Sequence, residues 1–426
     1  MLNPESVAAV EAARFGSHLV HPIYDGYGFA AIPATLERLL TGSASGPGLP
    51  PAALAGLAEQ YETVVLIFVD ALGWRFFEPW AQQHPFLARF LADGVVSRLT
   101  TMFPSTTTVH VTAIHTDQTP GESGLFEWYM YEPSLDRVIT PLLGSLAGEW
   151  GREGLEKTGL DLRTLYPQAT LYQRLAAAGV RSTVYQHASY ADSSYSKQVC
   201  AGAKMIPFRT LAEALVIMGD RLRHKPDPAY HILYLDSIDA IAHQHGPEAP
   251  HTAAEIDVVL TIFERHLHAM LSKLGRPVLL LLTADHGQIR IHPKRTLHLN
   301  QLLPELVSAT RCGADGKPLA PVGSNRDMFL YLHPDQVAPM HARLSDLLVG
   351  RAEVHTSEAL ITAGFFGANV SMRLRERIGD LVILPYANET VWWDDQRFPV
   401  RFKGMHGGLT PEEAHTQLAA LAYGAG

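Results

Sequence analysis

Apolar positions are unbroken over residues 63–69 (Thr-Val-Val-Leu-Ile-Phe-Val) and 277–283 (Pro-Val-Leu-Leu-Leu-Leu-Thr). Runs without polar alternation belong to strands buried on both faces of a parallel sheet. Shorter strand patterns are read at 181–186 and 230–235, and helix-period segments at 74–93, 168–178, 211–223 and 253–274. Strand and helix alternate, which predicts an α/β fold: a doubly wound, mostly parallel sheet with helices on both faces. From 288 the pattern changes to a strand at 327–332, a helix at 334–349 and a short strand at 352–354. A small α/β cap subdomain is therefore expected at 288–378, inserted into a core of 61–287 and 379–426. The core's last part is expected to hold a strand at 380–384, a Gly-rich turn and a closing helix from about 411. Residues 1–60 read as an irregular segment packed on the core, ending in the Gly/Pro-rich link at 41–51.

Composition narrows the picture. Hydrophobic residues make up 47% of the chain, which excludes a disordered protein. With 34 Lys+Arg against 43 Asp+Glu, the net charge of −9 argues against a phosphate-binding nucleic-acid surface. The 2 cysteines, Cys200 and Cys312, show no metal-ligand spacing and no disulfide framework. No signal-peptide pattern opens the sequence, and no apolar run approaches the roughly 18–20 residues of a membrane helix. A cytoplasmic protein with no membrane partner is expected. The unusual count is 21 His, gathered near acidic residues and glycines.

Four motifs place Asp or His directly after a strand or a Gly-rich turn: Asp70-Ala-Leu-Gly73, Asp236-Ser-Ile-Asp239-Ala-Ile-Ala-His243-Gln-His245-Gly246-Pro247, Asp285-His286-Gly287 and His406-Gly407-Gly408. Each has a bland reading: a helix N-cap for Asp70, a turn for Asp285, a surface i,i+4 pair for Asp239 and His243. Together they would meet in the crevice beyond the strands' C-terminal ends, where this architecture binds ligands. Carboxylates converging there would repel one another unless cations neutralise them. Mixed carboxylate and imidazole ligation suits zinc, with manganese second, and the donors are too many for one tetrahedral ion. Two divalent metal ions are expected. Ser105, Thr106, Thr107 and Thr108 put four hydroxyls where a helix begins, a place for N-caps and for a phosphate-binding nucleophile alike. Position alone does not choose among them.

This ordered set resembles the alkaline phosphatase superfamily, in particular its type I phosphodiesterase/nucleotide pyrophosphatase family. The resemblance implies that Asp70, Asp285, His286 and the nucleophile hold one metal, and that Asp239, His243 and His406 hold the other. Asp239, His243, Gly246 and Pro247 match the family's Asp-x-x-x-His-x-x-Gly-Pro segment, which leaves Asp236, and with it His245, as supports of the ligands. The family's Pro-x-x-Thr spacing, counted from Pro104, makes Thr107 the nucleophile and Thr106 the reserve. The implied activity is hydrolysis of a small-molecule phosphodiester, pyrophosphate or nucleotide through a phosphothreonine. The alternatives are a phosphomonoesterase, a phosphonate hydrolase, a phosphomutase, or a non-catalytic metal-binding regulatory module.

The sequence departs from relatives that place an aromatic residue after the nucleophile, here Thr108, and Asn three residues after it, here His110. His110, Thr108 and Lys403, the polar residues nearest these motifs, are expected to contact substrate. No Arg or Lys lies between Ser105 and Thr116, which favours a diester monoanion over a monoester dianion. Phe126, Trp128, Tyr129, Trp392 and Trp393 are left between pocket wall and core.

Overall fold

The computed structural model describes residues 1–149, 151–224, 228–314, 316–395 and 399–424. Its main sheet has seven strands. Six of these are Thr63–Val69 (β1), Val95–Thr100 (β2), Arg181–His187 (β3), Lys204–Phe208 (β4), Ala229–Leu235 (β5) and Val278–Thr283 (β6). Four further strands, Val322–Ser324 (β7), Asp327–Leu330 (β8), Ala352–Thr356 (β9) and Leu381–Pro385 (β10), form a second sheet in the order β7-β8-β10-β9. The chain then returns to the main sheet with His415–Tyr423 (β11), giving the order β2-β11-β6-β1-β5-β3-β4. All neighbours from β6 to β4 pair in parallel, and only β11 runs against its neighbours. The doubly wound, mostly parallel α/β sheet is as the sequence pattern predicts.

The strictly apolar β1 explains the layering. Val64, Leu66 and Phe68 face one core, and Val65, Ile67 and Val69 face the other. Leu19, Phe29, Ile32 and Leu36 from the first sixty residues belong to the former core. Among the described residues, no helix is long and apolar enough to cross a membrane.

Three readings are corrected. The expected closing helix from 411 is a single turn, Pro411–Ala414, and the residues after it are β11. Its alanines favour a helix by propensity, but both faces are buried and both edges pair, so tertiary pairing decides. The strand expected at 380–384 is β10, which pairs with β8 and β9. A cap boundary at 378/379 therefore cuts through the second sheet. The helix expected at 74–93 is two helices, Trp74–Ala81 and Pro85–Asp93, broken where His84 caps the Phe86 amide.

Candidate active site

The crevice is built by loops at strand ends. Asp70 follows β1, and its amide donates to Leu235 O across the sheet (2.8 Å). Asp285 follows β6; its Oδ1 accepts from the amides of Ala71 and His286, each 3.0 Å away. A Cβ on Gly73 would lie 2.5 Å from the Gly287 nitrogen, so glycine is what allows the β1 and β6 loops to touch. The Tyr234 hydroxyl donates to Asp70 Oδ2. Thr107 is the first residue of the helix Thr107–Thr116. Its hydroxyl lies 3.4 Å from Asp70 Oδ2 and 3.3 Å from His286 Nε2. His286 Nε2 is 3.6 Å from Asp70 Oδ1 and 3.4 Å from Asp285 Oδ2.

A second cluster adjoins it. Asp239 and His243 share one face of the helix Ser237–His245, with His243 Nε2 3.3 Å from Asp239 Oδ2. His406 Nε2 lies 3.8 Å from Asp239 Oδ1, and its ring stacks on His286 with 3.7 Å between centroids. All three imidazoles are oriented through Nδ1, which donates to a backbone carbonyl: Gly287 for His286, Gly404 for His243 and Ser105 for His406. That leaves each Nε2 lone pair facing the carboxylates, the arrangement of metal-ligating histidines.

The electrostatics disfavour uncompensated carboxylates here. Burial, with Asp285 and Asp239 nearby, holds the Asp70 carboxyl well above its ordinary range. Burial likewise pushes Asp285 up to about 7. His286 and His406 are driven well below the usual imidazole range, first by burial and then by neighbouring histidines. Asp70 Oδ1 and Asp285 Oδ2 are buried without a hydrogen-bond partner among the described residues. Unpaired buried carboxylate oxygens facing neutral imidazole lone pairs fit divalent cations. Asp70, Asp285 and His286 form one such group, and Asp239, His243 and His406 the other.

The neighbouring hydroxyls are engaged elsewhere or sealed in the core. Ser105 Oγ donates to Gly408 O (2.7 Å), Thr106 faces the buried Glu127 carboxyl, and Thr108 is fully buried. Thr108 is thus not a substrate contact. His110 is not one either: Nδ1 donates to Thr106 O (2.8 Å), Nε2 accepts from the Met102 amide (2.9 Å), and the ring packs edge-on to Phe29. Lys403 is exposed and lines neither cavity described below; its amide donates to His243 O and its charge lies beside His245. His245 stacks on His251 and makes no hydrogen bond to a candidate ligand among the described residues, whereas Asp236 borders the crevice. Gln288, which donates to Asp239 Oδ1, and Tyr234 were not singled out by the motifs. Gln288 sits two residues after His286, a spacing that carries no signal of its own.

Two cavities open on Thr107. One, of about 500 Å³, is lined by His243 and His406 and by the aromatic Trp128, Tyr129, Trp392 and Phe402. The other, of about 200 Å³, is lined by Asp70, Tyr234 and polar residues from the end of β3. Phe126 and Trp393 are core, packed with the second sheet.

The sequence matches the family model described as type I phosphodiesterase/nucleotide pyrophosphatase over residues 64–409. Among solved structures it is similar to murine ectonucleotide pyrophosphatase/phosphodiesterase 5, with a TM-score of 0.60 and 15% identity over 85% of this chain and 88% of that one. An inactive threonine-to-alanine variant of the murine protein in complex with AMP gives a TM-score of 0.61 at 14% identity, over 85% and 88% of the two chains. The human protein gives 0.60 at 15%, over 84% and 87%. No curated protein sequence matches the chain significantly.

Proposed function

This chain belongs to the type I phosphodiesterase/nucleotide pyrophosphatase family and is a hydrolase of phosphate ester bonds; we propose that it cleaves small phosphodiesters or pyrophosphates, nucleotides among them, through a phosphothreonine at Thr107. The observation that carries this reading is the placement of the Thr107 hydroxyl against Asp70 and His286 of one donor cluster, at the meeting point of two cavities that the other cluster also borders. A diester has a substituent for each cavity. The murine relative's AMP complex, in a threonine-to-alanine variant that is inactive, supports a nucleotide substrate and a threonine nucleophile.

Asp70, Thr107, Asp285 and His286 would hold one cation, and Asp239, His243 and His406 the other, zinc by their donor chemistry and manganese second. Divalent cations held there supply the charge that favours a deprotonated hydroxyl and a departing oxygen anion. Thr107 Oγ attacks phosphorus, and the ester bond on the far side breaks with its electron pair on the leaving oxygen. Water then attacks phosphorus, the Thr107 ester bond breaks, and the hydroxyl is restored. First-turn amides after Thr107, which a helix leaves without internal acceptors, face the phosphoryl oxygens.

A chromogenic phosphodiester is expected to give a higher kcat/KM than the monoester with the same leaving group, at pH 8 with zinc. Fixing the leaving group isolates recognition of the second substituent. Equal or greater monoesterase activity would overturn the diester reading.

The clusters are separable. Asp239→Ala or His406→Ala is expected to lower the metal content from about two ions towards one, since the other group is built on different strand ends. Elemental analysis measures this, and unchanged content in both variants would overturn the ligand assignment.

A further inference from the structure

The 200 Å³ cavity beside Thr107 touches the donor clusters only at Asp70 and Asp239, and the rest of its lining belongs to neither. It lies at the C-terminal end of β3, a strand whose end supplies no ligand to either cluster. Gln186, the next-to-last residue of β3, is 4% exposed, and its carboxamide oxygen has no hydrogen-bond partner among the described residues. The Tyr190 hydroxyl makes no close hydrogen bond among the described residues, and the Asp236 carboxylate is the acceptor within its reach. Asp236 occupies the N-cap of the helix Ser237–His245, yet its carboxylate makes no cap hydrogen bond. The Arg152 guanidinium lies 5.9 Å from the centre of the Tyr190 ring, and all four residues line the cavity.

These groups select a chemistry. The Gln186 oxygen is a buried acceptor that needs an O–H from the ligand, and the half-buried Asp236 carboxylate in the same cavity has lone pairs left to accept a second. The Tyr190 hydroxyl, beside Asp236, and the exposed Arg152 guanidinium are donors that can also take a ligand oxygen. Hydroxyl groups answer both demands, whereas a second phosphate would meet Asp236, and an alkyl chain would leave the buried acceptor unmatched. The cavity is the smaller of the two that open on Thr107, which suits a compact polyol better than a sugar with a base attached.

The direction of attack decides which end of the substrate enters. Thr107 Oγ sits on the Asp70–His286 side, so in-line departure runs towards His243 and His406, which line the larger aromatic cavity. Once the leaving oxygen has taken the electron pair of the broken bond, phosphorus carries Thr107 Oγ, two free oxygens and the retained ester. We infer that the β3-end cavity is a subsite for that retained ester, and that the substrate is a glycerol-like polyol phosphodiester with an apolar or aromatic leaving group.

This rests on the phosphodiesterase reading, and the test separates the two. Three p-nitrophenyl phosphodiesters, carrying 2,3-dihydroxypropyl, propyl or thymidine-5′-yl as the retained group, are compared after correction for uncatalysed hydrolysis. The dihydroxypropyl ester is expected to exceed the propyl ester by about tenfold in kcat/KM, and to exceed the thymidine ester. Gln186→Leu and Tyr190→Phe are each expected to bring the dihydroxypropyl-to-propyl ratio towards one. Equal rates for those two esters, a ratio that survives both substitutions, or preference for thymidine would overturn the subsite. Hydrolysis of none of the three would overturn the phosphodiesterase reading and the subsite with it.

Discussion

Thr107→Ala is expected to lower kcat by about a thousandfold or more while the fold and most of the bound metal persist. The hydroxyl is one donor among several in its cluster, so its loss removes the proposed nucleophile and leaves Asp70, Asp285 and His286 in place. No adjacent hydroxyl is free to substitute. Ser105 Oγ is committed to Gly408 O and to the Gly407 amide, and Thr108 is sealed inside the helix packing. Thr106 occupies the N-cap without a side-chain cap bond, so Thr106→Ala should cost less than about tenfold. Burst kinetics of p-nitrophenolate release measure both variants. A Thr106→Ala variant more damaged than Thr107→Ala would shift the nucleophile by one residue.

The metal-ligand candidates were legible because each follows a strand or turn whose register pins its direction. A buried parallel strand ends facing the crevice, so Asp70 and Asp285 needed only the apolar run before them. The i,i+4 spacing of Asp239 and His243 fixed a common helix face without tertiary information. His110 shows where such reasoning stops. It lies one helical turn after Thr107, but the helix is buried nearly all round, and the side facing Phe29 and the Met102 amide took the imidazole. Lys403 follows the same logic: proximity to His406 in sequence placed it on the outside of a loop whose amide, not its ammonium, is used. Gln186, Tyr190 and Arg152 carry no motif, because only strand order brings the end of β3 beside β5. The alanine-rich β11 was illegible for a related reason, its conformation being set by two partners distant in sequence.

The second large effect is on stability, at a pair remote from substrate. Arg326 and Glu413 are both completely buried and meet through two hydrogen bonds, Nε to Oε1 at 2.9 Å and Nη2 to Oε2 at 2.8 Å. Arg326 also donates to the carbonyls of Pro385, Tyr386 and Glu389 at the end of β10, which holds the second sheet. Glu413 accepts from the Gly408 amide and the Thr410 hydroxyl, while its backbone carbonyl accepts from the Gly287 amide. Gly408 O in turn receives Ser105 Oγ, and Ser105 O orients His406. One ion pair thus joins the second sheet to the loops of both donor clusters. Glu413→Ala leaves a buried guanidinium without its counter-charge and is expected to cost about 3–5 kcal/mol in urea unfolding. Arg326→Met combined with Glu413→Leu removes both charges and should recover much of that loss. It should not recover kcat, because Gly408 and Thr410 still lack their acceptor and the His406 loop loses its anchor. A Glu413→Ala protein as stable as the wild type would show the pair to be energetically neutral. Full activity in the double variant would show that the His406 loop is held by Ser105 alone.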